Sequence, residues 1–472
     1  MIPLTLAEVA AATEGVLLDA ASDTPATGLV VDSRLVRPGV IFAALAGERT
    51  DGTRFVEAAA EQGAVVVLVP QGHDDRAGWA ASRVPRIEVA DVQIALGQVG
   101  RAVRRRSKAR IIGVTGSSGK TSTKDMLAGV LSPHRRTVAN ERSFNNEVGL
   151  PLTLARIEPD TEVVVLEMGT AGAGQIAELC EIASPDVGVV TIVGMSHFEQ
   201  FGNSQDAIAT EKSALPESLP ETGLAVLNAD DYRVLAMRER VRARVLTYGV
   251  HNEADVRAQD VHLDEQGRAR FVLVTPEGQA EVQLPVTGAH MVVNALAAAG
   301  VASGLGLTPE QIATGLATVQ LSPGRMQITQ RADGVQVIDD TYNANPVSVE
   351  AALRALVAAR PPGGRVVAVL GEMADLADLA VSAHEDAGRL AAALGIDLLV
   401  GVGARPESAV AAARRAGLKE TMSVERPSEV APALEPFLRP HDVVLLKGSR
   451  VVGLDQAAAA LTAAALSTAG PA

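Results

Sequence analysis

The amino-acid sequence predicts an α/β protein of three domains: a small α/β N-terminal domain, a central domain with a mostly parallel sheet, and a C-terminal Rossmann-like doubly wound domain. Three observations carry this. Apolar, β-branched runs alternate with Ala-rich helical stretches along almost the whole chain, which is the pattern of parallel strands covered by helices. The length of 472 residues asks for about three cores at roughly 150 residues each. A glycine-rich loop at residues 113–121 stands between an apolar strand and a helical run, the setting of a phosphate-binding turn.

The N-terminal block is placed at residues 1–105, with strands expected at 28–31 and 64–69. A basic, polar stretch at 101–110 separates it from the next strand at 111–114. The central block, 106–321, has further strands expected at 163–166, 187–192 and 225–227. Its segment 248–286 alternates in polarity and is expected to form an antiparallel edge or inserted subsheet. The turn-like Leu321-Ser322-Pro323-Gly324 marks the second boundary. Strands at 335–338, 366–370, 398–402 and 443–446, with helical runs between them, make the third block, 322–472, doubly wound.

Lys plus Arg is 42 and Asp plus Glu is 56, a formal net charge of −14. A nucleic-acid binder needs a basic face to displace counterions, so none is expected as a partner. Cys180 is the single cysteine, which excludes an intrachain disulfide and a Cys-based zinc site. The run 291–307 contains Asn294, Ser303 and three glycines, and it reads as a buried helix, so no membrane insertion is expected. The first basic residue is Arg34 and Glu8 interrupts the opening apolar stretch, so a cytoplasmic location is expected.

The chemistry concentrates in Thr115, Gly116, Ser117, Ser118, Gly119, Lys120 and Thr121. Glycines let backbone N–H groups face phosphate oxygens at a helix N-terminus, Lys120 adds a point charge, and the Thr121 hydroxyl reaches Mg²⁺. Val114 stands where the strict motif has glycine, and a plain glycine turn with a solvated lysine is the competing reading. Glu167 ends an apolar strand and suits either a Mg²⁺ ligand or a helix cap. By themselves, Lys212 reads as an exposed helix lysine and His197 as a satisfied polar residue. Likewise Asp32-Ser33-Arg34 reads as a turn with a surface ion pair, and 339–346 as a turn.

Together these segments resemble the Mur ligases, ATP-dependent amide-forming enzymes of peptidoglycan precursor synthesis. The resemblance runs from Asp32-Ser33-Arg34 through Asn145-Asn146-Glu147-Val148-Gly149-Leu150-Pro151, Leu166-Glu167-Met168-Gly169 and Gly288-Ala289-His290 to Asp339-Asp340-Thr341-Tyr342-Asn343-Ala344-Asn345-Pro346 and Lys447-Gly448-Ser449-Arg450. It implies ATP in the 115–121 loop, with Asn294 at adenine, Arg325 at the phosphates and Asp340 at the ribose. Two Mg²⁺ ions are implied, with Thr121, Glu167, His197 and a carbamylated Lys212 as metal-holding residues; Lys120, His197 and Lys212 become the catalytic set. Ser33, Arg34, Asn145, Asn343, Asn345 and Lys447 are the implied substrate contacts. The 339–346 stretch, with 447–450, further implies ligation of D-alanyl-D-alanine to a UDP-N-acetylmuramoyl-tripeptide through an acyl phosphate. A monomer is expected, as is a pocket with a cation for the dipeptide carboxylate, for which Lys447 and Arg450 are the candidates. Another member of the family, a folylpolyglutamate synthase-like ligase and a P-loop nucleotide switch are the competing readings. The chain has no Asn-Lys-x-Asp guanine-reading segment, which weighs against the switch.

Overall fold

The computed structural model describes residues 1–47, 50–72, 83–141 and 144–467. Its strands form three large sheets and one two-stranded pair, Leu4–Thr5 with Pro25–Ala26. The first large sheet contains β1 (Val16–Leu18), β2 (Gly28–Val30), β3 (Val40–Ala43), β4 (Val66–Pro70) and β5 (Arg86–Val89) in the order β1-β5-β4-β3-β2. Only the β1–β5 pair is antiparallel.

Helix α1 (Val92–Arg106) follows, N-capped by Asp91, whose carboxylate accepts from Ile94 N at 2.9 Å. Most of the basic stretch expected to separate two blocks is therefore the last turns of a helix. Val92, Leu96, Val99 and Val103 recur at helical spacing and share one core with Leu150, Leu154, Ile176 and Leu179 of the next unit. Arg104 fastens the helix end by donating to the carbonyls of Ala183 and Ser184, both at 3.0 Å.

The central sheet comprises β6 (Arg110–Thr115), β7 (Thr137–Ala139), β8 (Val163–Glu167), β9 (Val187–Val190), β10 (Leu224–Asn228), β11 (Arg244–Gly249), β12 (Val256–Leu263), β13 (Arg268–Thr275) and β14 (Gly278–Thr287). Their order is β14-β13-β12-β11-β10-β9-β6-β8-β7. The sheet is parallel from β7 to β12, and β12, β13 and β14 make the antiparallel edge that alternating polarity foretold. Helix α2 (Lys120–Leu131) leaves the end of β6, while α3 (Gln175–Ala183) and α4 (Gln205–Glu217) connect later strands. Helix α5 (His290–Gly304) is buried along most of its length. No helix among the described residues is long and apolar enough to cross a membrane.

The C-terminal sheet holds β15 (Gln327–Gln330), β16 (Gln336–Asp340), β17 (Val366–Leu370), β18 (Leu398–Val402), β19 (Glu420–Val424) and β20 (Val443–Lys447) in the order β15-β16-β20-β17-β18-β19. Helix α6 (Pro346–Ala358) follows β16. The edge strands β15 and β19 escape a reading by hydrophobic runs because neither contains a buried residue. In parallel sheets, ligands gather beyond the C-terminal strand ends where strand order reverses, and that rule points to the ends of β6, β8, β16 and β20.

Candidate active site

Between β6 and α2 the backbone turns through Gly116 (φ 147°) and Gly119 (φ 82°). A Cβ on Gly116 would lie 1.8 Å from Thr191 Oγ1, and one on Gly119 2.4 Å from Asn294 Oδ1, so both positions require glycine. The loop is held in advance: Thr191 Oγ1 donates to Ser118 O at 2.6 Å, and Ser117 N donates to Ile192 O at 2.7 Å. Lys120 folds back over it, donating from Nζ to Gly116 O at 2.8 Å. Burial lowers the Lys120 pKa; nearby Glu167 opposes the shift and Arg325 adds to it.

Glu167, 1% exposed, pairs in register with Val114 across β8 and β6, which sets its carboxylate beside the loop. Thr121 Oγ1 donates to Glu167 Oε2 at 2.8 Å, and Asn145 Nδ2 donates to Oε1 at 2.7 Å. Glu167 is thus engaged with the loop rather than capping a helix. Arg325 Nη2 donates to Thr121 Oγ1 at 2.9 Å, and its guanidinium lies 4.2 Å from the centroid of the Tyr342 ring. Oxygen donors so arranged suit a hard cation. No cluster of three or more His, Cys, Asp or Glu side chains of metal-holding geometry occurs among the described residues. A Mg²⁺ ion here would complete its shell with water and phosphate oxygens, as this ion ordinarily does.

A cleft opens in front of Lys120 and Glu167. Asn145, Glu147 and His197 line it from the central unit, and Tyr342, Asn343, Asp375, Ser449 and Arg450 from the C-terminal one. His197 Nδ1 lies 3.3 Å from Asp375 Oδ2. Burial lowers the His197 pKa, against the pull of Asp375. Lys212, inside α4 and 3% exposed, is pushed down to about 7, by burial first and by Lys120 second, with Glu211 opposing.

Behind the loop lies a second pocket, lined by Ser118, Gly119, His290, Asn294, Arg325, Asp340 and Lys447. Asp340 and Lys447 are register neighbours at the ends of β16 and β20. Lys447 Nζ donates to Asp340 Oδ2 at 2.6 Å and to Asn343 O at 2.9 Å. This pocket adjoins the phosphate loop, and Arg325 stands between it and the cleft, lining both.

Three stretches of the chain match family domains: residues 25–104 the Mur ligase family catalytic domain, 114–302 the Mur ligase middle domain, and 324–450 the Mur ligase glutamate ligase domain. The chain is 42% identical to a UDP-N-acetylmuramoyl-tripeptide–D-alanyl-D-alanine ligase of Mycobacterium tuberculosis, over 98% of each chain. The chain belongs to the Mur ligase family. Among solved structures, the MurF of Acinetobacter baumannii superposes with a TM-score of 0.86 at 31% identity, covering 98% of this chain and 99% of that one. The MurF ligase of Thermotoga maritima in complex with ADP gives 0.79 at 28% identity, covering 94% and 98%.

Within this Mur ligase the structure brings Lys120, Thr121, Glu167, Asn145, His197, Arg325 and Asn343 to the cleft or its floor. Lys447, implied as a substrate contact, is buried and tied to Asp340 in the wall of the second pocket. Asn345 caps α6, accepting from Ser348 N at 2.9 Å, and its amide reaches Ser117 O at 3.5 Å and Ser196 Oγ at 3.4 Å. Ser33 and Arg34 lie in a turn outside the cleft lining, with Arg34 86% exposed and paired to Asp32 at 2.6 Å. Sequence reasoning noted the segment around Asp375 as part of the resemblance but gave that residue, which meets His197, no role, and it passed over Asn140, whose Oδ1 accepts from Glu167 N at 2.8 Å. It also passed over Thr191; a polar residue just beyond the C-terminal end of β9 was the available signal. Cys180 is buried and its thiol is pushed up to about 11, so it is no nucleophile.

Proposed function

We propose that this Mur ligase joins D-alanyl-D-alanine to UDP-N-acetylmuramoyl-tripeptide and converts ATP to ADP and phosphate. The observation that carries the reading is the convergence of Lys120, the Thr121–Glu167 pair and Arg325 at the inner end of a cleft walled by two sheet domains. An ATP held in the rear pocket would project its γ-phosphate past Lys120 into that cleft. The tripeptide carboxylate oxygen attacks the γ-phosphorus, ADP leaves, and an acyl phosphate forms. The dipeptide amine then attacks the acyl carbon, and phosphate departs with one of the original carboxylate oxygens.

Lys120 and Arg325 stabilise the charge spread over the transferred phosphoryl oxygens, and the fixed loop amides hold it in line. Asn145, through its bond to Glu167, fixes one face of the carboxylate site. Two Mg²⁺ ions, when bound, would neutralise phosphate charge and polarise the reacting carboxylate. Thr121 and Glu167 would hold the first, and His197 with Lys212 the second. Lys212 forms no ion pair among the described residues and has a pKa near 7, so a fraction of its amine is neutral and able to add CO₂ as a carbamate. ATP and a UDP-linked precursor as cosubstrates fit a cytoplasmic enzyme. Both cleft walls come from one chain, which favours a monomer.

The test is ADP release by purified protein given ATP and UDP-tripeptide, with each amine added in turn. Release dependent on D-alanyl-D-alanine supports the assignment. Preference for a single amino acid such as D-alanine or glutamate would move the chain to another branch of the family.

A further inference from the structure

We propose that Arg450 is the specificity-determining cation that captures the free carboxylate of the incoming dipeptide, with Val451 against its terminal methyl group. The inference rests on the reading of the amine substrate given above. Two arginines line the cleft from its C-terminal wall, Arg325 and Arg450. Arg325 is turned inward, bonded to Thr121 Oγ1 at 2.9 Å and stacked 4.2 Å from the Tyr342 centroid. Lys447, the other candidate cation, lines the nucleotide pocket instead of the cleft and is held by Asp340 at 2.6 Å.

Arg450 is differently placed. Its side chain is 61% exposed, and its ion pair is a 3.5 Å contact with Asp455, itself 46% exposed. A pair so solvated contributes little and gives way readily to a better partner. The guanidinium also stands 5.9 Å from the Tyr342 centroid, so the ring limits where it swings. Next to it Val451 is 82% exposed in the cleft wall, an apolar surface with room for a methyl group. An extended dipeptide places its carboxylate roughly 7 Å beyond its amine. Arg450 lines the same cleft as Lys120, from its C-terminal wall, where a carboxylate carried one residue beyond the attacking amine can meet it.

The experiment compares D-alanyl-D-alanine with its C-terminal amide in the full-length enzyme and in Arg450→Gln and Arg450→Lys. Unmodified enzyme should favour the acid by about 10- to 100-fold in kcat/KM, the worth of one charge-assisted contact. In Arg450→Gln that preference should collapse, mainly through a raised KM for the acid, while KM for ATP and UDP-tripeptide stays within about twofold. Arg450→Lys should restore part of the preference. Val451→Ser should raise KM for both dipeptides alike. An acid preference that survives intact in a folded Arg450→Gln protein overturns the proposal. An unmodified enzyme that rejects the dipeptide altogether overturns the substrate reading instead.

Discussion

Asp375 Oδ2 and His197 Nδ1 face each other at 3.3 Å across the cleft, joining the C-terminal unit to the central one. Both residues hold left-handed backbone conformations, φ 62° for Asp375 and 52° for His197, which cost on the order of 1 kcal/mol each for a side chain other than glycine. Neighbouring contacts enforce the Asp375 loop: Ala374 N donates to Ser449 Oγ at 2.8 Å, and Met373 N donates to His384 Nε2 at 3.0 Å. Strain retained at a site where two domains meet is a sign of positioning.

Asp375→Ala tests that role. The partners are 35% and 49% exposed, so the pair contributes at most about 1 kcal/mol to stability. The variant should unfold within a few degrees of the parent while kcat falls about tenfold through a less well-oriented His197. A loss of several kcal/mol of stability with unchanged kcat would make the pair purely structural.

Lys120→Ala should lower kcat by at least about 100-fold, on the order of 3 kcal/mol of transition-state stabilisation. UDP-tripeptide affinity, measured by calorimetry, should hardly change if that ligand is anchored on the N-terminal domain. A near-normal rate would refute the phosphate-loop assignment.

Lys212→Ala should lose most activity and regain part of it when acetate or formate is supplied, because a small carboxylate replaces the carbamate oxygens. An active variant indifferent to either anion would remove Lys212 from the metal-holding set. Mass spectrometry of the parent protein under CO₂, before any acid step, reads the modification directly.

Several parts of this site were legible because their signals are local. The phosphate loop is written in the spacing of Gly116, Gly119, Lys120 and Thr121, and Glu167 announces itself as a carboxylate closing an apolar strand. The three sheets and the antiparallel edge followed from hydrophobic patterning. What stayed hidden depends on distant packing. Lys212 sits in the polar run Ala209-Thr210-Glu211-Lys212-Ser213, and nothing there foretells its burial. The pairing of Lys447 with Asp340, 107 residues apart, comes from parallel register between β16 and β20. Asp375 acquires its partner only when two domains face each other.

The half-buried imidazole of His290, whose Nδ1 is shielded from solvent, gives a pH signature. Burial moves its pKa from 6.5 down to about 4, with Asp340 opposing and Lys447 reinforcing the shift. The unfolded chain takes up this proton below about 6.5, while the folded protein resists until about 4. The stability held by the neutral ring is therefore complete above pH 6.5 and is lost as pH falls toward 4, by about 1–3 kcal/mol. Denaturant midpoints across pH 4 to 7 for the parent and His290→Gln should diverge in this window. Parallel profiles would show that the ring titrates equally in both states.

The acyl phosphate is the centre of this account, and oxygen tracing tests it most directly. UDP-tripeptide labelled with ¹⁸O in its terminal carboxylate is ligated to D-alanyl-D-alanine, and the released phosphate is analysed by mass. The mechanism predicts one ¹⁸O in phosphate for every peptide bond formed. Phosphate free of label, with product still accumulating, would contradict it.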